Sequence, residues 1–209
     1  MKPYVGTAAE LEAQLKAEYY HAPPLPRVYM QMLPWQMYAL YGLAWEQCRK
    51  VPPWDGTGRI LEIGTGFGSS AYMLGKAWPT VEIVSLTVSE AEAEQARAYL
   101  KTAGGAPVTI LVKPSTEYMA ETGGRPWKQM VYVDGDHRRA AADLVWLNAL
   151  TPGGLLLFHD YSPVACPPVY AAVNALGATL GRAPDVLLMD EHQIGMAGFY
   201  RREGEVWLG

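Results

Sequence analysis

The sequence is poor in cysteine, has no run of basic residues and contains no long apolar stretch. Its two cysteines, Cys48 and Cys166, stand far apart in 209 residues and match no metal or redox spacing. With no basic run and a net charge of -4, nucleic acid is not the expected partner. No segment is long and apolar enough to span a bilayer, so no membrane association is expected. The N-terminus lacks a charged segment followed by an apolar run, so no signal peptide is expected and the chain reads as cytoplasmic. Half of the residues are apolar and 18% are charged, which is the profile of a soluble globular protein. The length fits one domain with a full core. Tryptophan, tyrosine and proline are plentiful, and many of them precede residue 55.

The centre of the pattern is Arg59-Ile60-Leu61-Glu62-Ile63-Gly64-Thr65-Gly66-Phe67-Gly68-Ser69-Ser70. Ile60, Leu61 and Ile63 read as a short buried strand, the glycines as a tight turn, and Ser69 to Trp78 as the helix that follows. A strand that ends in a glycine turn and opens a helix suits a nucleotide. Glycine lets the backbone approach a ligand closely, and the helix N-terminus presents free N–H groups. A dinucleotide fingerprint, G-x-G-x-x-G, would place glycine at position 69, where this chain has Ser69. The pattern here is E-x-G-x-G-x-G.

Before this motif, Thr7 to Tyr20 reads as a helix capped by Thr7, with Glu10 at the capping-box position. His21 to Pro26 is a proline-rich break, and Gln36 to Lys50 a second helix bearing an aromatic and methionine stripe. That stripe reads either as core packing or as a lid over a substrate pocket. Val51 to Gly58 reads as a linker. The division expected is a helical extension over residues 1–55, serving as lid or association segment, and a main domain over 56–209.

From Arg59 onward, strands and helices alternate. The further strands are Val81 to Leu86, Val108 to Val112, Gln129 to Val133, Leu155 to Phe158, Val186 to Met189 and Ile194 to Arg201, the last two forming a hairpin. The further helices are Ser89 to Thr102, Ser115 to Ala120, Arg139 to Leu150 and Val164 to Leu180. Ser89 is the N-cap of its helix, with Glu92 three residues on. This alternation predicts an α/β fold: a doubly wound, mostly parallel seven-stranded sheet with an N-terminal helical extension. In such sheets ligands sit at the carboxyl ends of the strands. The chemically capable residues follow strand ends: the glycines, then Asp134-Gly135-Asp136-His137, then His159-Asp160-Tyr161. His21 and His192 read as loop or surface histidines. Asp190 and Glu191 read as flanking a turn, and Asp143 as serving helix electrostatics.

The E-x-G-x-G-x-G turn resembles motif I of the class I S-adenosylmethionine (SAM) methyltransferases. "DGDH" at 134–137 and Pro152-Gly153-Gly154-Leu155-Leu156-Leu157-Phe158-His159-Asp160-Tyr161 sharpen the likeness. Together they are similar to the metal-dependent group that includes the macrocin and mycinamicin sugar O-methyltransferases and the cephalosporin-pathway hydroxylation/methylation protein. The likeness to catechol O-methyltransferases is more distant. It covers roughly residues 59 to 201 and implies a Rossmann-like methyltransferase fold. It implies SAM held by Glu62, Gly64, Thr65, Gly66, Gly68, Ser69, Ser70, Thr87, Ser115 and Asp134. It also implies a divalent metal of the magnesium or manganese type on Asp134, His159 and Asp160, with His137 as general base. One His beside two Asp suits manganese, iron, cobalt or zinc better than magnesium. The acceptor implied is a hydroxyl of a small molecule, a sugar or a secondary metabolite, and the N-terminal segment is a candidate surface for a homo-oligomer.

The chain departs from that pattern at two places. The family's acid at the end of the second strand is Thr87 here, and the acid after the third strand is replaced by Lys113-Pro114-Ser115. Rival readings are a metal-free methyltransferase in which His137 works alone, and a degenerate member that binds a nucleoside or a partner without catalysis. An NAD-dependent oxidoreductase is disfavoured by the glycine spacing.

Overall fold

The computed structural model describes residues 4–25, 32–50, 58–78, 80–104, 107–123, 126–127 and 129–207. The expected linker at 51–58 lies almost wholly outside them. The strands are β1 (Tyr4–Val5), β2 (Arg59–Ile63), β3 (Glu82–Thr87), β4 (Val108–Val112), β5 (Met130–Val133), β6 (Leu155–Phe158), β7 (Val186–Met189) and β8 (Gly195–Tyr200). They form one sheet in the order β1-β7-β8-β6-β5-β2-β3-β4. The pairs β6–β5–β2–β3–β4 are parallel; β8 runs antiparallel to β6 and to β7, and β7–β8 is the expected hairpin.

The sheet has eight strands among the described residues, against the seven expected. The eighth is β1, which pairs in parallel with the outer edge of β7. Two residues carry no periodic signal, so tertiary pairing alone creates this strand.

The period-2 alternation of buried strands divides the apolar residues between two faces. Ile60, Ile83, Met130, Tyr132, Leu155 and Leu157 point to one face. There they meet the helices α1 (Ala8–Glu18), α2 (Pro34–Lys50), α3 (Ser69–Ala77) and α4 (Glu90–Ala103). Leu61, Ile63, Val84, Leu86, Val131, Val133, Leu156 and Phe158 point to the other. That face is covered by α5 (Ser115–Thr122), the segment 137–149 and α7 (Pro167–Leu180). Pro167 and Pro168 open α7, where the missing N–H costs nothing.

The N-terminal helices belong to the first of these cores. Thr7 caps α1 with a complete capping box. Leu11 and Leu15 of α1 are buried, as is nearly every apolar side chain of α2 from Trp35 to Ala44. The aromatic stripe is thus core packing in this fold.

The long helix expected over Arg139 to Leu150 is broken. A 3₁₀ turn (His137–Arg139) leads into the short α6 (Ala140–Asp143), followed by a second 3₁₀ stretch (Leu144–Ala149). Tertiary bonds outweigh the local preference here. Arg201 donates to the carbonyls of Asn148 and Leu150, and the Asn148 amide pairs on both sides with the backbone of Trp207.

Candidate active site

The parallel ladders continue one residue past several strand ends. Gly64 N–H donates to Leu86 O at 2.8 Å, Asp134 N–H to Ile63 O at 2.7 Å, and His159 N–H to Val133 O at 3.0 Å. The residues that follow β2, β5 and β6 are therefore aligned along one edge. This is where the strand order reverses, with β3 and β4 on one side of β2 and β5 and β6 on the other, and a ligand crevice is expected there. A cavity of about 490 Å³ opens at this edge.

The alignment demands glycine at position 64. Its φ is +99°, and a Cβ would collide with the backbone carbonyl of Asp134. Gly68, also at positive φ, lets α3 approach Ala96 of α4. Gly64, Thr65, Gly66, Ser69, Ser70, Thr87, Ser115 and Asp134 line the cavity, and Glu62 and Gly68 stand behind its wall. Glu62 is fully buried and accepts a hydrogen bond from the Ser85 hydroxyl, which also meets Thr65 Oγ1 at 2.7 Å. Burial pushes the Glu62 carboxyl up to about 8, against the pull of the Ser70 and Ser85 hydroxyls. Glu62 ties down the glycine turn from below.

At the other end of the cavity four groups converge. His159 Nδ1 lies 3.1 Å from Asp134 Oδ1 and 3.2 Å from Asp160 Oδ2. His137 Nε2 lies 3.1 Å from Asp160 Oδ2 and 4.0 Å from Asp134 Oδ1. Tyr132, buried below, donates to Asp134 Oδ2 at 3.1 Å. Asp160 sits at φ 53°, unusual for a residue with a side chain, and such backbone strain concentrates at functional sites. The sequence thus brings together all four residues singled out for metal and proton chemistry.

Electrostatics couples the four. The neighbouring carboxylates of Asp134 and Asp160 raise the His137 imidazole to about 10. Burial pushes His159 down, but the two carboxylates raise it to about 10. Burial pushes both carboxyls up, and the histidines more than offset this, leaving Asp134 and Asp160 below the usual carboxylate range. The two carboxylates thus favour the protonated form of both imidazoles.

The donor set fits a divalent cation. Ligand atoms of Asp134, His137 and Asp160 lie within 4.8 Å of one another. His159 is 4% exposed, and neither of its ring nitrogens makes a well-aligned hydrogen bond among the described residues, close as the carboxylates are. A buried, poorly aligned imidazole between two carboxylates is a group that a coordinated cation would satisfy.

Two further acids in the wall, Glu92 and Asp143, read from the sequence as helix residues and not as part of the site. Glu92 Oε2 accepts from the Thr87 hydroxyl at 2.6 Å, and Asp143 Oδ1 accepts from Ser115 at 2.6 Å. Asp143, expected to serve helix electrostatics, is 4% exposed, and burial pushes its carboxyl up. The helix break after Asp143 and the capping position of Glu92 masked both. Asp190 accepts from the His192 and Ile194 backbone N–H groups in the hairpin turn, as its turn reading anticipates.

Residues 61–161 match a family described as a methyltransferase domain. A comparison with curated proteins gives no match. Among solved structures, the cofactor-bound protein Rv0187 from MTB superposes with a TM-score of 0.65 at 23% identity, covering 94% of this chain and 88% of that one. The O-methyltransferase TomG from Streptomyces achromogenes, in complex with SAM, superposes at 0.65 and 22% identity, over 93% and 89%. The O-methyltransferase from Bacillus cereus, in complex with SAH, superposes at 0.63 and 18%, over 92% and 90%. The fold is the Rossmann-like fold of the SAM-dependent methyltransferases.

Proposed function

We propose that this chain is a SAM-dependent O-methyltransferase that methylates a hydroxyl of a small molecule, a sugar or secondary metabolite, with help from a divalent cation. The observation that carries this reading is the sharing of one cavity by the glycine turn and the four-group cluster. The motifs at 134–137 and 152–161 favour the macrocin- and cephalosporin-type group within the methyltransferases.

When bound, SAM supplies a methyl group on a sulfonium and the cation lowers the pKa of the acceptor hydroxyl. The chain supplies the rest. Gly64, Thr65, Gly66, Ser69 and Ser70 would form the floor under the methionine part of the cofactor. Asp134, His159 and Asp160 would hold the cation. A cation held there would withdraw charge that otherwise keeps a proton on His137. His137 Nε2 would then be free to accept the proton of the acceptor hydroxyl, the role a general base plays in methyl transfer to oxygen. Met32, in the same wall, places part of the N-terminal segment beside the cavity, and the rest of that segment is a candidate subunit contact. No helix among the described residues is long and apolar enough to cross a membrane.

A second assignment is favoured by the convergence of Asp134, His137 and Asp160 ligand atoms, which makes His137 the imidazole ligand. Metal content after chelation and reconstitution separates the two. On the proposed roles, His159→Ala loses the metal, whereas His137→Ala keeps it and lowers kcat by about 10²–10⁴-fold on sugar and phenolic acceptors. The reverse metal pattern would transfer the ligand role to His137. Full activity in verified metal-free protein would end the metal assignment.

A further inference from the structure

The methyl-transfer roles leave one end of the cavity unused. There Thr87, Glu92, Ser115 and Asp143 form the wall, at the ends of β3 and β4 and in the helical segments beyond them. Neither acid leaves a strand end. Glu92 is the third residue of α4 and Asp143 the last of α6.

Glu92 departs from the capping pattern its position invites. With Ser89 as N-cap, a glutamate at the third helical position ordinarily reaches back to the N-cap N–H. The Ser89 hydroxyl accepts from Glu92 N–H at 3.3 Å, but the reciprocal bond is missing. Ser89 N–H instead donates to Thr87 Oγ1 at 3.1 Å, and Thr87 in turn donates to Glu92 Oε2. Thr87 thus does the work of the capping glutamate, and the carboxylate is turned from its own helix into the cavity wall. The bond from Thr87 uses one carboxylate oxygen, Oε2. Asp143 repeats the arrangement, held by a hydroxyl, Ser115 Oγ, that opens α5 just after β4.

In open α/β sheets a nucleoside lies across the carboxyl ends of adjacent strands, and an acid near the end of the second strand takes its ribose hydroxyls. Here that strand ends in Thr87, and a carboxylate stands one hydrogen bond behind it. Building on the SAM reading above, we infer that Glu92 receives the ribose hydroxyls of the cofactor and that Asp143, with Ser115, receives the exocyclic amino group of its adenine. Two helix-borne carboxylates thereby replace the acids missing at Thr87 and Pro114. A carboxylate accepts from both hydroxyls of a vicinal diol, and it accepts from a 6-amino group but meets a 6-oxo group with acceptor against acceptor.

Calorimetric titration of the intact protein tests this with S-adenosylhomocysteine, its 2′-deoxy and 3′-deoxy analogues, and S-inosylhomocysteine. The wild type should bind S-adenosylhomocysteine and lose about ten- to a hundredfold in affinity for the analogues. Glu92→Ala should bind S-adenosylhomocysteine about that much more weakly and no longer discriminate against the deoxy analogues. Asp143→Asn should lose discrimination against the inosyl compound alone. Glu92→Gln retains an acceptor for Thr87 and gives the same comparison should the alanine variant fail to fold. A role confined to pinning the β3–α4 turn would weaken all ligands equally, so intact discrimination in the Glu92 variants overturns the ribose assignment, and in Asp143→Asn the adenine assignment. Failure of the folded wild type to bind S-adenosylhomocysteine overturns the SAM reading itself, and this inference with it.

Discussion

Glu62 supports a cavity it does not line, through its contact with Ser85 beneath the glycine turn. It lies under the glycine turn, and its burial raises the carboxyl to about 8 from an ordinary value of 4.5. The native state therefore holds a proton that the unfolded chain releases between these two values. A raised carboxyl of this kind contributes its full stability below about pH 4.5 and loses it progressively as the pH climbs to about 8. Glu62→Gln carries no such proton. The unfolding free energy of Glu62→Gln relative to wild type should thus rise between pH 5 and pH 8, by up to about 1 kcal/mol per pH unit, and level off above. Thermal melts of both proteins across that range check this; a constant difference would show that Glu62 is ionised in the fold. The E-x-G-x-G-x-G spacing was legible in the sequence, as were Asp134, His137, His159 and Asp160, because each follows a recognisable strand. The reason for Gly64 was not legible. It lies in the backbone of Asp134, 70 residues onward and adjacent only after β2 and β5 pair. Glu92 and Asp143 were hidden for a similar reason: each occupies a position with an ordinary local explanation, and only the fold turns it toward a cavity.

Among the elements, the helix caps at Thr7 and Ser89 were legible because capping is local, while the broken segment 137–149 was not, because Arg201 and Trp207 are distant in sequence. The contact of α1 with α2 is also set by a distant pair. The Tyr19 ring lies over Gly42, is 2% exposed, and donates its hydroxyl to Glu46 Oε1 at 2.6 Å. A Cβ at position 42 would fall into that ring. In an exposed helix, glycine to alanine gains about 1 kcal/mol. Here overpacking against a buried, hydrogen-bonded ring opposes it with about 1–3 kcal/mol or more. Gly42→Ala should therefore destabilise the protein by about 1–2 kcal/mol in chemical denaturation, with the slope unchanged. Stabilisation would mean that the Tyr19 ring can move aside freely.

At the scale of the molecule, alternation of strands and helices was enough to anticipate the doubly wound sheet, its parallel centre and its terminal hairpin. The edge strand β1 was beyond reach, since two residues acquire strand geometry only by pairing with β7. The sheet's consequence is one crevice in which a floor of small residues, a pair of helix-borne acids and a four-group cluster succeed one another. The account rests on that crevice holding SAM. Calorimetric titration of SAM into the intact wild-type protein, with divalent metal present, addresses it most directly. Saturable binding at one equivalent per chain, with a dissociation constant within the range of about 1 μM to 1 mM usual for enzyme substrates, is the result expected; a folded, metal-supplied protein that takes up no SAM at millimolar ligand would contradict the account.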